Sequence, residues 1–234
     1  MTALQSMIKG LFSRAPRPFV VAVDGPAASG KGTIAEALAR HYDFDRLDTG
    51  ALYRMVGWRV LKSGGDPTNA DDAVAAASGM KFGELDQAAL RSEEIGDAAS
   101  KVAAIPELRE ALLGYQRDFA QHPPGGKGAV IDGRDIATVV WPAAEVKLFV
   151  TARDEVRAHR RFLELHGERN GMSEGQILAD LKARDRRDSE RAVAPLRPAP
   201  DAVLLETSEL AIDAAVATAL AIVDKALSDR KSVV

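Results

Sequence analysis

Nine consecutive residues, Gly25, Pro26, Ala27, Ala28, Ser29, Gly30, Lys31, Gly32 and Thr33, are the stretch of this chain whose types and spacing speak most directly of chemistry. They fit the Gly, four residues, Gly, Lys pattern of a phosphate-binding loop. Glycines reach backbone angles closed to other residues, so successive N–H groups can converge on one anion, and Lys31 adds a full positive charge. The residue after Lys31 is Gly32, where such loops usually carry Ser or Thr; the hydroxyl arrives one place later at Thr33. The pattern therefore supports phosphate contacts more directly than a bond from this loop to Mg²⁺.

Three further sets carry charge in organised form. Asp132, Gly133, Arg134 and Asp135 follow an apolar run, and Asp132 stands where a Mg²⁺-organising carboxylate belongs beside such a loop. A turn built from Asp and Gly for backbone reasons accounts for the same letters. Arg184, Asp188 and Arg191 lie at i, i+4 and i+7, so one helical face sets a carboxylate between two guanidiniums and Asp188 can hold either arginine; a solvated helix laced with ion pairs has the same spacing. Finally, Arg153, Arg157, Arg160 and Arg161 cluster on one side of a turn at 167–173, and Arg184, Arg186, Arg187 and Arg191 on the other. A helical hairpin over about 153–190 with arginines at both roots is a lid able to close on phosphates and exclude water. Phosphoryl transfer asks mainly for positioning and charge stabilisation, so no nucleophile is required. His41, His122, His159 and His166 show no metal-ligand spacing.

The elements that must position these groups can be read from apolar rhythm. Residues 19–23 form a continuous apolar run, the mark of a strand buried on both faces of a parallel sheet. Ile34, Leu38 and His41 follow at helical spacing, which directs a helix N-terminus at the loop. Further strands are expected at 44–48, 129–131, 146–150 and 202–205, with helices around 52–61, from Ile95, from Pro106, and over 212–227. Strands separated by helices imply an α/β fold, a three-layer α/β/α arrangement around a central parallel sheet of about five strands. Ligands in such sheets bind at the carboxyl ends of the strands. Residues 64–95 are turn-rich and too sparsely apolar for a second core, so they read as a small insertion in a single domain over 18–234.

Composition narrows the class. With 46% hydrophobic and 28% charged residues the 234-residue chain reads as an ordinary soluble globule. The absence of cysteine excludes disulfides and thiolate metal sites and suits a reducing cytosol, so a cytoplasmic location is expected. A balance of 31 basic to 34 acidic residues offers no electrostatic case for a nucleic-acid polymer as partner. Residues 1–17 lack the apolar core of a secretory signal and read as a flexible leader, and no apolar run approaches a membrane span.

Several blocks taken together resemble the bacterial cytidylate kinases, nucleoside monophosphate kinases of the P-loop type. They are GPAASGKGT at 25–33, LDTGALYR at 47–54, ASKVAAIPELREALL at 99–113, DGRDIATVVWP at 132–142, RAHRR at 157–161 and RDRRDSERAVAPL at 184–196, in order over about 19–225. The resemblance implies transfer of the γ-phosphoryl of ATP to CMP or dCMP with Mg²⁺. It implies that 25–33, with Arg157 and Arg161, bind ATP, and that Lys31, Arg134, Arg184, Asp188 and Arg191 serve the transfer. Thr49, Tyr53, Arg54, Ser100, Arg109 and Asp135 would hold CMP, the last three of these reading the base. Asp132, through water, and Thr33 would meet the metal. Cytosine offers an amino donor beside acceptors, so a carboxylate with nearby donors is complementary to it, whereas uracil would turn a carbonyl towards that carboxylate. By resemblance a monomer is expected, with 64–95 as the monophosphate-binding insertion. Residues 80–95 are short for the antiparallel hairpins that such kinases usually carry there.

Two other readings stay open on the residues alone. One is a P-loop kinase for UMP, AMP or a small alcohol. The other is a nucleotide-binding regulator without activity, although neither the Asn-Lys-x-Asp nor the Asp-x-x-Gly signature of a GTPase occurs in the chain.

Overall fold

Alternation along the first apolar run sets the architecture. All six residues of β1 (Phe19–Asp24) are buried, because Phe19, Val21 and Val23 enter the core on one face of the sheet while Val20 and Ala22 enter the core on the other. The computed structural model describes residues 17–80, 90, 92–166 and 171–232; the leader up to 16, positions 81–89 and 91 of the insertion, and 167–170 of the lid turn lie outside the described residues.

β1 pairs in parallel with β3 (Gly128–Gly133) and β4 (Val146–Thr151), β2 (Asp45–Asp48) pairs with β3, and β5 (Val203–Glu206) pairs with β4. The order is 2-3-1-4-5, all parallel. Parallel neighbours need crossover connections, and helices supply them. On one face α1 (Lys31–Tyr42) and α8 (Ile212–Ser232) bury Ile34, Leu38, Ala219 and Val223 against Val21 and Leu148. On the other, α2 (Thr49–Lys62) and α5 (Pro106–Gln121) bury Leu52, Val56, Leu108 and Leu112 against Val20 and Ile131. This is the three-layer arrangement expected from the sequence.

α3 (Ala70–Ala77) is capped by Asn69, whose side chain accepts from the N–H groups of Asp71 and Asp72, and its Ala73 is fully buried in the α2 core. α4 (Glu93–Val102), capped by Ser92, crosses α2 so closely that a Cβ on Gly57 would lie 2.9 Å from the Ala99 nitrogen. That contact fixes Ser100 relative to the sheet. α6 (Asp154–His166) and α7 (Glu174–Glu190) form a hairpin with an apolar core of its own, in which Ala158, Leu165, Ile177 and Leu181 meet Ala27 of the loop. α7 begins on a reciprocal Ser173–Gln176 capping box.

One boundary matters for chemistry. The sequence places Asp132 in the turn after a strand ending at 131, but pairing with β1 runs on to Asp24↔Gly133, so Asp132 is a strand residue. It is also the register partner of Asp48 on β2, which sets the two carboxylates side by side.

Candidate active site

The loop between β1 and α1 offers its nitrogens by engaging its oxygens. The Pro26 carbonyl accepts from Lys31 Nζ at 3.2 Å, the Ala27 carbonyl from Arg157 Nη1 at 3.0 Å, and the Ser29 carbonyl from Thr207 Oγ1 at 3.1 Å. The Gly30 carbonyl accepts from the Ile34 N–H as the first turn of α1 closes. An approaching anion therefore meets the loop and helix N–H groups. Gly25 is required because a Cβ there would stand 2.0 Å from the Val150 carbonyl oxygen, and Gly30 because it takes the left-handed conformation, φ 88°. Lys31 lies over the same space; burial and then the Arg134 charge push its pKa down to about 7, against the pull of Asp132 and Asp48.

Beside this cradle stand the two carboxylates. Burial, and then the adjacent Asp48, push the Asp132 pKa up to about 6, although Arg46 Nε donates to its Oδ1 at 3.1 Å. Asp48 is itself held below the usual range: burial raises it, but Arg54, 2.7 Å from Oδ2, together with the Arg46 and Lys31 charges overcomes burial. Its other oxygen caps α2 by accepting from the Ala51 N–H.

Arg54, Arg134, Arg184 and Arg191 all line one cleft of about 1490 Å³ that also contains Lys31 and the loop from Ala27 to Thr33. Three of the four have a carboxylate: Arg54 has Asp48, Arg134 Nε has Asp188 Oδ2 at 3.0 Å, and Arg191 Nη2 has Asp135 Oδ1 at 3.4 Å. Arg184 makes no ion pair with a described carboxylate, and its Nε is buried without a hydrogen-bond partner among the described residues. Burial, followed by the Arg134 charge, lowers its pKa to about 10. Asp188 is held below its usual range because the Arg134, Arg184 and Arg191 charges together overcome its burial. Spacing alone pairs Asp188 with Arg184 or Arg191; its hydrogen-bonded partners are instead Arg134 and the Ser100 hydroxyl, at 3.2 Å.

Arg109 pairs with Asp135, stacks over the buried Tyr53 ring at 5.6 Å, and donates to the Ala103 carbonyl at 3.3 Å. Ser100, Arg109, Asp135 and Tyr53 all line the cleft. Thr49 does too, but its hydroxyl donates to the Asp132 carbonyl at 2.8 Å and holds β3 to the start of α2. Thr33 lines the cleft from the first turn of α1, and Arg161 from α6, where it pairs with Glu93 and Glu164.

Arg157 is placed differently from its expected contact with ATP. It is 3% exposed and absent from the cleft lining; its guanidinium donates to the Ala152 and Ala27 carbonyls and pairs with Asp154 and Asp185. It braces the loop from beneath. Arg160 lines the cleft instead, anchored on Thr207. Sequence reasoning missed Arg46, which links Asp132 to Glu36, and placed Arg187 only among the arginines of the hairpin, without its bond to Ser100 and its pairing with Asp97. It also missed Asp24, a buried carboxylate at the end of β1, although the rule of inspecting strand ends points to it.

Comparison with protein families matches residues 21–225 to the family described as Cytidylate kinase. The cytidylate kinase of Cereibacter sphaeroides is 59% identical over 86% of this chain and 93% of its own, and that of Paramagnetospirillum magneticum 54% identical over 87% and 97%. Among solved structures, a gluconokinase from Sinorhizobium meliloti 1021 is similar with a TM-score of 0.50 at 15% identity, covering 92% of this chain and 96% of that one, a likeness of fold alone. With a phosphate cradle facing a ring of arginines, and with relatives of this identity along most of its length, the chain belongs to the cytidylate kinase family.

Proposed function

We propose that the protein transfers the γ-phosphoryl group of ATP to CMP and dCMP, with the loop and Lys31 holding the donor and the arginine ring holding the acceptor phosphate. The observation that carries this reading is the single cleft joining Lys31 to Arg54, Arg134, Arg184 and Arg191, with Arg184 making no ion pair among the described residues. Loop N–H groups and Lys31 bind the β- and γ-phosphates of ATP, and Thr33 extends the same helix end. Arg54, partnered by Asp48, orients the monophosphate. Arg134 and Arg184 lie between the two anion sites, where charge spreads over the equatorial oxygens of the group in flight. Asp188 keeps Arg134 in place, and Arg191 with Arg109 holds the Asp135 carboxylate towards the base. The hairpin of α6 and α7 acts as the lid that excludes water, and 64–95 as the monophosphate side of the cleft.

Mg²⁺ fits the residues present. Among the described residues no three metal-ligating side chains cluster, but this ion usually takes one or two carboxylates, several waters and the substrate phosphates. Asp132, its pKa raised by burial and then by its neighbour Asp48, would meet the ion through water, with Thr33 on the same cleft. When bound, the ion neutralises the phosphate oxygens.

Asp135 with Arg109 and Ser100 suits the amino and carbonyl edge of cytosine better than uracil. Among the described residues no helix is long and apolar enough to cross a membrane, and a cytoplasmic monomer working on free nucleotides completes the reading. The test is a coupled ADP-release assay across CMP, dCMP, UMP and AMP. Preference for CMP and dCMP is expected; a clear preference for another acceptor overturns the proposal.

A further inference from the structure

Asp24 ends β1 one residue before the phosphate loop and is 2% exposed. Its two carboxylate oxygens divide their work: Oδ1 accepts from the Ile136 N–H and Oδ2 from the Ala137 N–H, each at 2.8 Å. Those N–H groups open the π-helical turn Ile136–Val140, whose N-cap residue is Asp135. An N-cap aspartate ordinarily accepts from the N–H groups of the turn it starts. Asp135 makes no such bond, and its two oxygens instead meet Arg109 and Arg191 in the cleft. The cap is supplied from another strand.

We propose that Asp24 is a positioning residue for acceptor selectivity, capping the turn in place of Asp135 and so freeing the Asp135 carboxylate to face the base. If the turn lacked this second carboxylate, Asp135 would be drawn back onto the N–H groups next to it, because orphan N–H groups buried in a protein seek the nearest acceptor. Strand pairing leaves no slack for the turn to move away, since Gly133 is registered on Asp24 itself and a Cβ at Gly133 would stand 2.6 Å from Thr49 Oγ1. Keeping a carboxylate at this place works against its surroundings: burial pushes the Asp24 pKa up to about 7 in spite of the two N–H bonds, and the Asp135 charge adds to the rise while Arg134 opposes it. No other described side chain bonds these two N–H groups.

The inference rests on the proposed reading of Asp135, and its test separates the two. Asp24→Asn keeps the shape but offers one acceptor and turns an amide N–H₂ against the other N–H. The ratio of kcat/KM for CMP to that for UMP, the KM for ATP and the Tm are measured for the native protein, Asp24→Asn, Asp135→Asn and the double variant. Asp24→Asn is expected to lower the CMP to UMP ratio about ten- to hundredfold, the effect of losing one hydrogen bond to a charged acceptor. The KM for ATP should stay within about threefold of native, since each loop carbonyl contact is untouched. In the Asp135→Asn background the Asp24 change should have no further effect on the ratio, because both act through one carboxylate. An unchanged ratio in Asp24→Asn, losses that multiply in the double variant, or ATP and CMP constants that worsen together with the Tm would each overturn the inference. A native protein without preference for CMP over UMP would overturn the functional reading itself.

Discussion

Replacing Arg184 with Met should remove activity while making the free protein more stable. The side chain sits partly buried, makes no ion pair and has its Nε unbonded among the described residues, and burial with the nearby Arg134 lowers its pKa to about 10. At about 1.4 kcal/mol per pH unit that depression corresponds to roughly 3 kcal/mol against the charged form. Solvent screening of this partly buried guanidinium reduces this to about 1–2 kcal/mol. Methionine keeps most of the aliphatic stem and drops the charge, so for a chain of this length the Tm should rise by roughly 2–6 °C. Turnover should fall by about 10³-fold or more, as expected for a cation that stabilises a phosphoryl group in transit. Inorganic phosphate, titrated during thermal unfolding, should stabilise the native protein more than the variant. A variant at least about 1 kcal/mol less stable than native would mean that Arg184 is held by a partner and is no anion site, and turnover within tenfold of native would refute its part in the transfer.

Three other outcomes follow from the same geometry. Lys31→Ala should cost orders of magnitude in turnover with little change in Tm, because the free protein already holds that ammonium at a lowered pKa; circular dichroism melting beside the coupled assay checks both. Arg157→Leu should destabilise the fold by about 3–5 kcal/mol, since it leaves Asp185 and Asp154 without their buried cation, and should raise the KM for ATP through the freed Ala27 carbonyl; unchanged urea unfolding would contradict the brace. Asp24, raised from 3.8 to about 7, binds a proton in the folded state that the unfolded chain has already lost, so its contribution to stability is fully present below pH 3.8 and declines as pH rises through 7. Asp24→Asn should therefore flatten the Tm profile of the free protein across that window.

What the sequence made legible was whatever depends on near neighbours in the chain. The Gly25 to Thr33 loop and a parallel sheet of about five strands in an α/β fold follow from glycine geometry, from mostly apolar short runs and from the helices between them, and the structure keeps them. What it hid was direction. Arg157 and Arg161 lie one helical turn apart, yet one reaches the Ala27 carbonyl and pairs with Asp154 and Asp185 while the other lines the cleft and pairs with Glu93 and Glu164, partners that lie mostly on other elements. Asp188 bonds to Arg134, 54 positions away, and spacing within its own helix could not reveal that partner. The pairing of Asp48 with Asp132 likewise needs strand register, which no single strand encodes.

The pattern of partners in the cleft has an energetic logic. A buried or half-buried guanidinium without a counter-ion costs a few kcal/mol, and a domain is stable by only about 5–15 kcal/mol, so four unpaired arginines around one space would consume most of that margin. Pairing all four would leave an incoming phosphate to compete with a carboxylate at every contact. Among the described residues the chain lies between these extremes, with Asp48, Asp188 and Asp135 holding three arginines in place and Arg184 left open. The carboxylates fix where the cations stand, and the open arginine supplies the charge that an anion can take up without displacing anything. Such an arrangement leaves Arg184, which lines the same cleft as Lys31, as the cation most open to an added anion, in keeping with the transfer role proposed for it.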